Sequence, residues 1–199
     1  MNSELNESLV RFTERYTVGQ IPWDDVLPPP EVQDLAAALP PGAALDLGCG
    51  YGRTAIYLAQ RGWQVDGVDF VPQAVEGANL RAQAANVANT AQFHVGSVAD
   101  LNFLSGPYNL AIDIGCMHSL SEPLLQAYRD ELLRLLQPGA LYLLFAHLRD
   151  EVADEEPYRW VNEAFLRELL ADFTLEKSEL GVTVVNENQW RSGWFWYRR

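Results

Sequence analysis

Basic residues are scarce in this sequence. Fourteen lysines and arginines stand against 27 aspartates and glutamates, which gives the 199 residues a formal charge of −13. Such a charge repels phosphate backbones and anionic lipid surfaces. We therefore expect neither nucleic acid nor a membrane as a partner.

Cysteine is almost absent as well. Cys49 and Cys116 lie far apart, which excludes a disulfide framework and a C-x-x-C metal or redox pair. The first residues lack the basic and apolar stretches of a secretory signal, and apolar runs such as residues 140–145 are too short to span a bilayer. These features predict a soluble, cytoplasmic protein without a metal site.

The composition is that of a globular protein, with 48% hydrophobic and 21% charged residues. Prolines interrupt regular structure only at residues 22–30, between a predicted N-terminal helix over 4–16 and a helix that begins near Glu31. We divide the chain accordingly into an N-terminal helix and lid segment, 1–30, and one main domain, 31–199.

Apolar segments alternate with helical patterns along the main domain, which predicts parallel strands in a doubly wound α/β sheet. The chain end differs, because two strand-like segments follow each other without a helix between them, and that order predicts an antiparallel pair. The predicted strands are residues 43–47, 63–70, 91–95, 108–114, 140–147, 174–180 and 193–199.

The most informative segment is a glycine-rich turn between the first strand and its helix. Gly48, Gly50 and Gly52 give the spacing G-x-G-x-G rather than the G-x-G-x-x-G of a dinucleotide site. Glycine lets a ligand approach the main chain closely at this edge of the sheet. Asp46, just before the turn, would repel a pyrophosphate but could accept hydrogen bonds from a cationic ligand group. The turn therefore favours a positively charged nucleoside.

Asp69 ends the second predicted strand, 21 positions after Gly48 (69 − 48). A carboxylate at that place and spacing typically accepts both hydroxyls of a ribose. We therefore predict that Asp69 binds ribose, and leave Asp66 on the same strand as a surface residue.

Three motifs together resemble the class I S-adenosylmethionine-dependent methyltransferases: residues 45–52, Val68-Asp69, and residues 136–140 before a strand. The resemblance runs from about residue 31 to the end and implies a Rossmann-like sheet of seven strands with an antiparallel last strand. It also implies methyl transfer from S-adenosyl-L-methionine. Tyr16 and residues 22–24 are similar to the N-terminal segment of small-molecule members, such as the thiopurine and tellurite methyltransferases.

The resemblance implies a set of cofactor-binding residues. The family usually has an acidic residue after the third strand that holds adenine, but Ser97 stands there, followed by the Val98 amide; Asp100 is a competing candidate. The predicted cofactor-binding residues are Asp46, Gly48, Cys49, Gly50, Gly52, Asp69, Phe70, Ser97, Val98 and Asp113.

Asp113 and His118 follow the fourth strand, where the family places the methionine moiety and the acceptor. Asp113 could accept from the cofactor's ammonium group or cap a neighbouring loop. His118 could remove a proton from the acceptor, or be a helix-entry histidine bonded to the main chain. Methyl transfer from a sulfonium is an in-line displacement that needs alignment more than a base.

The N-terminal segment is predicted to close over the cofactor, with Tyr16 and Trp23 excluding water from the reacting methyl group. The alternative is a terminal helix that only covers the core edge. For the whole chain we predict methyl transfer to a small-molecule acceptor by a monomer or homodimer. A non-catalytic nucleoside-binding module and, less favoured by the glycine spacing, an NAD-type oxidoreductase are the alternatives.

Overall fold

The computed structural model describes residues 3–149, 161–185 and 188–199. The chain divides into two units, residues 1–98 and 99–199. Its seven strands form a mixed sheet flanked by helices, which is the Rossmann-like fold expected from the sequence.

The first unit consists of three parallel strands and four helices. β2 lies between β1 and β3 and pairs with both in parallel register. In chain order the elements are α1 (Ser3–Val18), α2 (Pro30–Ala38), β1 (Ala43–Leu47), α3 (Arg53–Ala59), β2 (Gln64–Asp69), α4 (Pro72–Ala84) and β3 (Ala91–Val95).

Local sequence explains these elements. Four of the five residues of β1 are buried, as expected for an apolar strand inside a parallel sheet. Pro30 and Pro72 open α2 and α4, where a missing N–H costs no helical hydrogen bond.

The second unit carries the antiparallel part of the sheet. Its strand order is β4-β5-β7-β6; β4 and β5 are parallel, and β7 runs antiparallel to both β5 and β6. The prediction of an antiparallel pair at the chain end is confirmed. The elements are β4 (Tyr108–Ile114), a short 3-10 helix (Met117–Ser119), α5 (Glu122–Leu135), β5 (Leu136–His147), α6 (Glu163–Leu169), β6 (Thr174–Val185) and β7 (Asn188–Arg198).

Element boundaries differ from the predicted ones at two places. β5 begins at Leu136 rather than at residue 140, because Leu136 already pairs with Tyr108 before the ladder shifts register. β6 and β7 are also longer than predicted, with 12 and 11 residues, because Gly181 to Val185 pairs with Asn188 to Ser192 in an exposed part of the hairpin. Val182 and Val184 are exposed there, so this part of the hairpin lacks the alternation of buried and exposed residues that marks a strand in the sequence.

Within the described ranges, no helix combines the length and the apolar character needed to cross a bilayer. α1 and the proline-rich segment after it belong to the first unit. The domain boundary at residue 30 stays a prediction.

Candidate active site

A glycine-rich loop connects β1 to α3 in the first unit. Its glycines have positive φ angles of 70° at Gly48, 55° at Gly50 and 78° at Gly52. A side chain at Gly52 is excluded twice, because that φ disfavours L-residues and a Cβ would lie 2.6 Å from the Phe93 ring. The first two amides of the loop donate to the Val68 carbonyl at 2.8 and 3.0 Å, which fixes the loop to β2.

Asp46 lies in β1 immediately before this loop and is only 4% exposed. One carboxylate oxygen accepts a hydrogen bond from the Ala55 amide at 3.1 Å. The first amides of a helix have no partner within the helix, so this contact satisfies one of them. Asp46 thus ties β1 to the first turn of α3, and its predicted contact with a cationic cofactor group stays a prediction.

Asp69 ends β2 and is 6% exposed. Its Oδ2 accepts from the Gly50 amide at 3.0 Å and its Oδ1 from the Val71 amide at 2.9 Å. Burial raises the pKa of Asp69, and the two amides partly oppose that shift. Each carboxylate oxygen has a second lone pair. Asp69 can therefore hold the glycine loop and still accept hydrogen bonds from a diol.

The predicted adenine-binding residues follow β3. The Gly96 amide donates to the Asp69 carbonyl at 3.0 Å, which brings this segment to the end of β2. Ser97 is half-buried and Val98 is buried, whereas the competing candidate Asp100 is exposed. Their contact with adenine stays a prediction.

Aromatic side chains cover the glycine loop. The Tyr16 hydroxyl lies 3.1 Å from the position that a Cβ of Gly50 would take, and it accepts a hydrogen bond from the Trp23 indole N–H at 3.4 Å. Burial, followed by the nearby Asp69 carboxylate, raises the pKa of Tyr16, so the phenol is neutral. We call the rings that pack together here the lid cluster: Phe12, Tyr16, Trp23, Tyr51 and Phe70.

An ion pair ties the lid cluster to α4. Arg81 donates two hydrogen bonds of 2.7 Å to the two carboxylate oxygens of Asp24, next to Trp23. The guanidinium also lies 4.5 Å from the centre of the Tyr51 ring. The neighbouring Asp25 makes a longer contact, 3.8 Å from its carboxylate to Arg53, and its side chain is 83% exposed. Of the two acidic residues, Asp24 is the one held firmly.

Asp113 is the penultimate residue of β4 in the second unit and is fully buried. The Cys116 amide donates to Oδ1 at 2.7 Å, and the Met117 amide and the Tyr128 hydroxyl donate to Oδ2 at 3.0 and 2.8 Å. Burial raises the pKa of Asp113 to about 7 despite these donors. The geometry is that of a loop cap, one of the two roles expected for Asp113; contact with an ammonium group stays a prediction.

His118 lies in the 3-10 helix after β4. Its Nδ1 accepts a hydrogen bond from the His147 backbone amide at 3.2 Å, and the two imidazole rings are 5.0 Å apart. Burial and the neighbouring His147 lower the pKa of His118 to about 3. A neutral imidazole with one nitrogen bonded to the main chain is a weak base. The geometry favours the alternative role of a histidine bonded to the main chain, and the catalytic role stays a prediction.

Three contributors to these arrangements were not found from the sequence. Arg81 is 57 residues from Asp24, and Tyr128 is 15 residues from Asp113. Tyr51 lies in the glycine-rich turn, and its contacts with Tyr16 and Arg81 were not predicted. Side-chain pairs between separate elements leave no periodic signal, although Arg81 occupies the last turn of α4, where basic residues are favoured.

The residues that the structure describes contain no group of three or more histidine, cysteine or acidic side chains that could hold a metal ion. Cys49 and Cys116 form no disulfide.

Comparison with known proteins gives a family match and named relatives. A family model described as a methyltransferase domain matches residues 44–139. A 2-heptyl-1-hydroxyquinolin-4(1H)-one methyltransferase of Mycobacteroides abscessus is 31% identical over 156 residues, which are 76% of this chain and 67% of that protein. The chain spans less than half the length of further curated relatives that it matches.

Two solved structures share the fold. One is the 1,6-didemethyltoxoflavin-N1-methyltransferase of Burkholderia thailandensis, with 1,6-didemethyltoxoflavin and S-adenosylhomocysteine bound. Its TM-score is 0.75 at 22% sequence identity, and the match covers 100% of this chain and 91% of that chain. The other is TehB from Haemophilus influenzae, with a TM-score of 0.76 at 17% sequence identity. That match covers 94% of this chain and 67% of that chain.

The glycine loop, Val68-Asp69 at the end of β2 and residues 136–140 were the motifs that suggested a family from the sequence. The family model covers the loop and the carboxylate, and the Mycobacteroides relative extends the match over three quarters of the chain. This chain belongs to the class I S-adenosylmethionine-dependent methyltransferases.

Proposed function

We propose that the chain transfers the methyl group of S-adenosylmethionine to a small-molecule acceptor by in-line displacement. The observation that carries the proposal is the linkage of the glycine loop to Asp69 through the Gly50 amide, directly beneath the Tyr16 hydroxyl. A curated relative is named for methylating a hydroxyquinolone, which supports a small organic acceptor. The acidic composition supports an acceptor other than nucleic acid.

The residues of the loop fit this cofactor. Glycine at position 50 lets the Tyr16 hydroxyl come close to the main chain of the loop, because a Cβ there would be only 3.1 Å from that hydroxyl. Asp69 keeps lone pairs that suit a ribose diol, and Asp46 supplies negative charge on the other side of the loop. A dinucleotide would place its pyrophosphate beside that charge, so the oxidoreductase alternative is not favoured.

Each residue then has a proposed task. The cofactor supplies a methyl group on a positively charged sulfur, which needs alignment and exclusion of water. Asp69 holds the ribose, Asp46 the cationic part, and Ser97 with the Val98 amide the adenine. Asp113 and His118 keep their predicted roles towards the methionine moiety and the acceptor only as proposals. The cytoplasmic location and the monomeric or homodimeric state likewise stay predictions.

The lid cluster is proposed to close the cofactor site. Tyr16 and Trp23 cover the loop with apolar surface, and dry surroundings favour a transition state in which the sulfonium charge disperses. Asp24 and Arg81 keep Trp23 in place through two short hydrogen bonds. A terminal helix that only covers the core edge would not need this bond to the neighbouring helix.

Ligand binding and turnover test the function. S-adenosylhomocysteine at 100 times its dissociation constant should stabilise the protein by about 2.7 kcal/mol, whereas NAD should not raise the melting temperature. A screen of small thiols, amines and hydroxyl compounds should then detect S-adenosylhomocysteine as a product. Binding without turnover of any acceptor would support the non-catalytic module.

A matched pair of variants tests the lid. Asp24→Asn should lower kcat about fivefold, the equivalent of about 1 kcal/mol. Asp25→Asn neutralises the neighbouring carboxylate, which is 83% exposed and 3.8 Å from Arg53, and should leave kcat unchanged. Equal activities for the two variants would show that the pair of Asp24 with Arg81 does not serve the reaction.

A further inference from the structure

Aromatic rings line one face of β5 and β7 near the carboxyl end of β5. Phe145 pairs with Trp194 across the two strands, and their ring centres are 5.0 Å apart. His147 is two residues further along β5, on the same face because side chains alternate along a strand, and its ring is 5.4 Å from Phe145. We call Phe145, His147 and Trp194 the ring face.

The opposite face of the same strands has a different character. Tyr142, Phe195 and Tyr197 are 0 to 3% exposed there, and their rings are nearly parallel, at 22° and 23°. All three residues of the ring face are half-buried instead, and their rings are inclined by 51° and 76°. Leu143 and Trp196, on the same side as the ring face, are buried as well, so the accessible aromatic surface is confined to Phe145, His147 and Trp194.

The ring face carries no charge of its own. Burial lowers the pKa of His147, and also that of His118, whose ring lies 5.0 Å away. Both imidazoles are therefore neutral at physiological pH. Neutral flat rings suit the face or edge of another aromatic ring, at centre distances of about 4.5 to 7 Å.

The position of the ring face also matters. Ligands of open α/β sheets bind beyond the carboxyl ends of the parallel strands, and His147 is the last residue of β5. Trp196 lies on the same face of β7 as Trp194, and the Lys177 ammonium is 4.3 Å from the centre of its ring. A cation therefore lies at the end of the aromatic surface that is remote from His147.

We propose that Phe145, His147 and Trp194 bind a planar aromatic ring of the methyl acceptor, so that the acceptor is a flat aromatic or heteroaromatic compound rather than an aliphatic thiol or amine. This inference rests on the proposed function and narrows its substrate class. Stacking on a flat side chain recognises shape and polarisability without a fixed pattern of hydrogen bonds.

Calorimetry with two probes tests the inference on the full chain saturated with S-adenosylhomocysteine. The probes are 1-naphthol and its saturated counterpart decahydronaphthalen-1-ol, both of which are neutral at the pH of the experiment. The parent protein should bind the aromatic probe at least about tenfold more tightly. Trp194→Leu and, independently, Phe145→Leu should abolish that preference. Phe103→Leu, which removes a 45% exposed ring elsewhere in the second unit, should retain it.

The affinity for S-adenosylhomocysteine separates the possible failures. It should be the same in the parent and in all three variants, which also shows that they fold. Equal binding of the two probes by the parent, or an unchanged preference in both ring-face variants, would overturn the inference and leave the proposed function intact. Failure of the parent to bind S-adenosylhomocysteine would overturn the proposed function, and the inference with it.

Discussion

Each unit has a buried aspartate at or next to the end of a parallel strand, yet the two carboxylates have different surroundings. Asp69 accepts from the backbone amide of Gly50 in the glycine loop and from that of Val71 after β2. Asp113 accepts from two amides and from Tyr128, whose hydroxyl is itself 2.9 Å from that of Tyr142. Carboxylates at similar places in the sequence pattern therefore have backbone donors alone in one unit and a buried tyrosine as an additional donor in the other.

The surroundings of the two aspartates also affect their pKa values. Burial raises the pKa of both aspartates, but tyrosine side chains close the space around Asp113, and its pKa reaches about 7. A carboxylate that is partly protonated near neutrality is a poor partner for a cationic ligand. The comparison predicts that substitutions of Asp69 affect mainly cofactor affinity and those of Asp113 mainly stability.

The largest expected effect is that of Asp113→Ala. It would leave two amides and one hydroxyl buried without an acceptor, at about 1 kcal/mol each or more, so we expect a loss of about 3 kcal/mol in the free energy of unfolding. Urea denaturation measures this loss. A loss below about 1 kcal/mol would mean that Asp113 is not the cap of the loop after β4.

The pH dependence of stability distinguishes a buried acid from a charged one. Asp113 binds a proton more strongly in the folded chain than in the unfolded chain, where its pKa is about 3.9. Its stabilising contribution is therefore complete below about pH 4 and is lost as the pH rises through about 7. Asp113→Asn should make unfolding less dependent on pH over this window. Asp69 shifts in the same direction, so the difference between parent and variant isolates Asp113.

Asp69→Asn should weaken binding of S-adenosylhomocysteine by at least about tenfold, because one charge-assisted hydrogen bond to the ribose is worth about 1.5 to 3 kcal/mol. The amide keeps one carbonyl oxygen as acceptor for the backbone. Asp66→Asn on the same strand is the control, since Asp66 pairs with His94 instead. Similar affinities for both variants in a calorimetric titration would place the ribose elsewhere.

Glycines of the two units allow a similar comparison. Gly52 and Gly139 have nearly equal φ angles, 78° and 82°, but a Cβ at Gly52 would collide with Phe93, whereas nothing lies within 4 Å of one at Gly139. Gly139→Ala should cost only the left-handed conformation, about 1 kcal/mol, and Gly52→Ala about 2 kcal/mol. Thermal denaturation of both variants measures the difference; equal losses would show that Phe93 moves aside freely.

Sequence reasoning was most successful where one short segment determines both structure and chemistry. The loop from Gly48 to Gly52 was located because glycine at a strand-to-helix turn has few other causes, and the parallel order followed from alternating strands and helices. The hairpin was expected from the missing helix before β7. The signal for the loop lies within a few consecutive residues, and the other two follow from the order of elements along the chain.

The features that were missed depend on residues distant in sequence. Nothing near Asp24 indicates that Arg81 will pair with it, and nothing near Asp113 indicates that Tyr128 will donate to it. Asp69 was predicted as a ribose ligand, but the two backbone amides that donate to it were not found. Removing that side chain entirely would therefore disturb folding as well as binding, which is why the asparagine variant is the cleaner test.

The smallest expected effect concerns an ion pair of the second unit. Glu176 accepts two hydrogen bonds from Arg198, at 2.9 and 2.8 Å, in the same bidentate geometry as Asp24 with Arg81, and Arg198 lowers the pKa of Glu176. Both side chains are about 40% exposed, and water and salt screen such a pair. Glu176→Gln should therefore lower the free energy of unfolding by less than about 1 kcal/mol and leave methyl transfer unchanged.

Asp24→Asn, in contrast, should lower kcat, because it frees the segment that bears Trp23. If Glu176→Gln lowered kcat as much as Asp24→Asn, the effect would reflect a general loss of charge rather than a specific contact with the lid cluster.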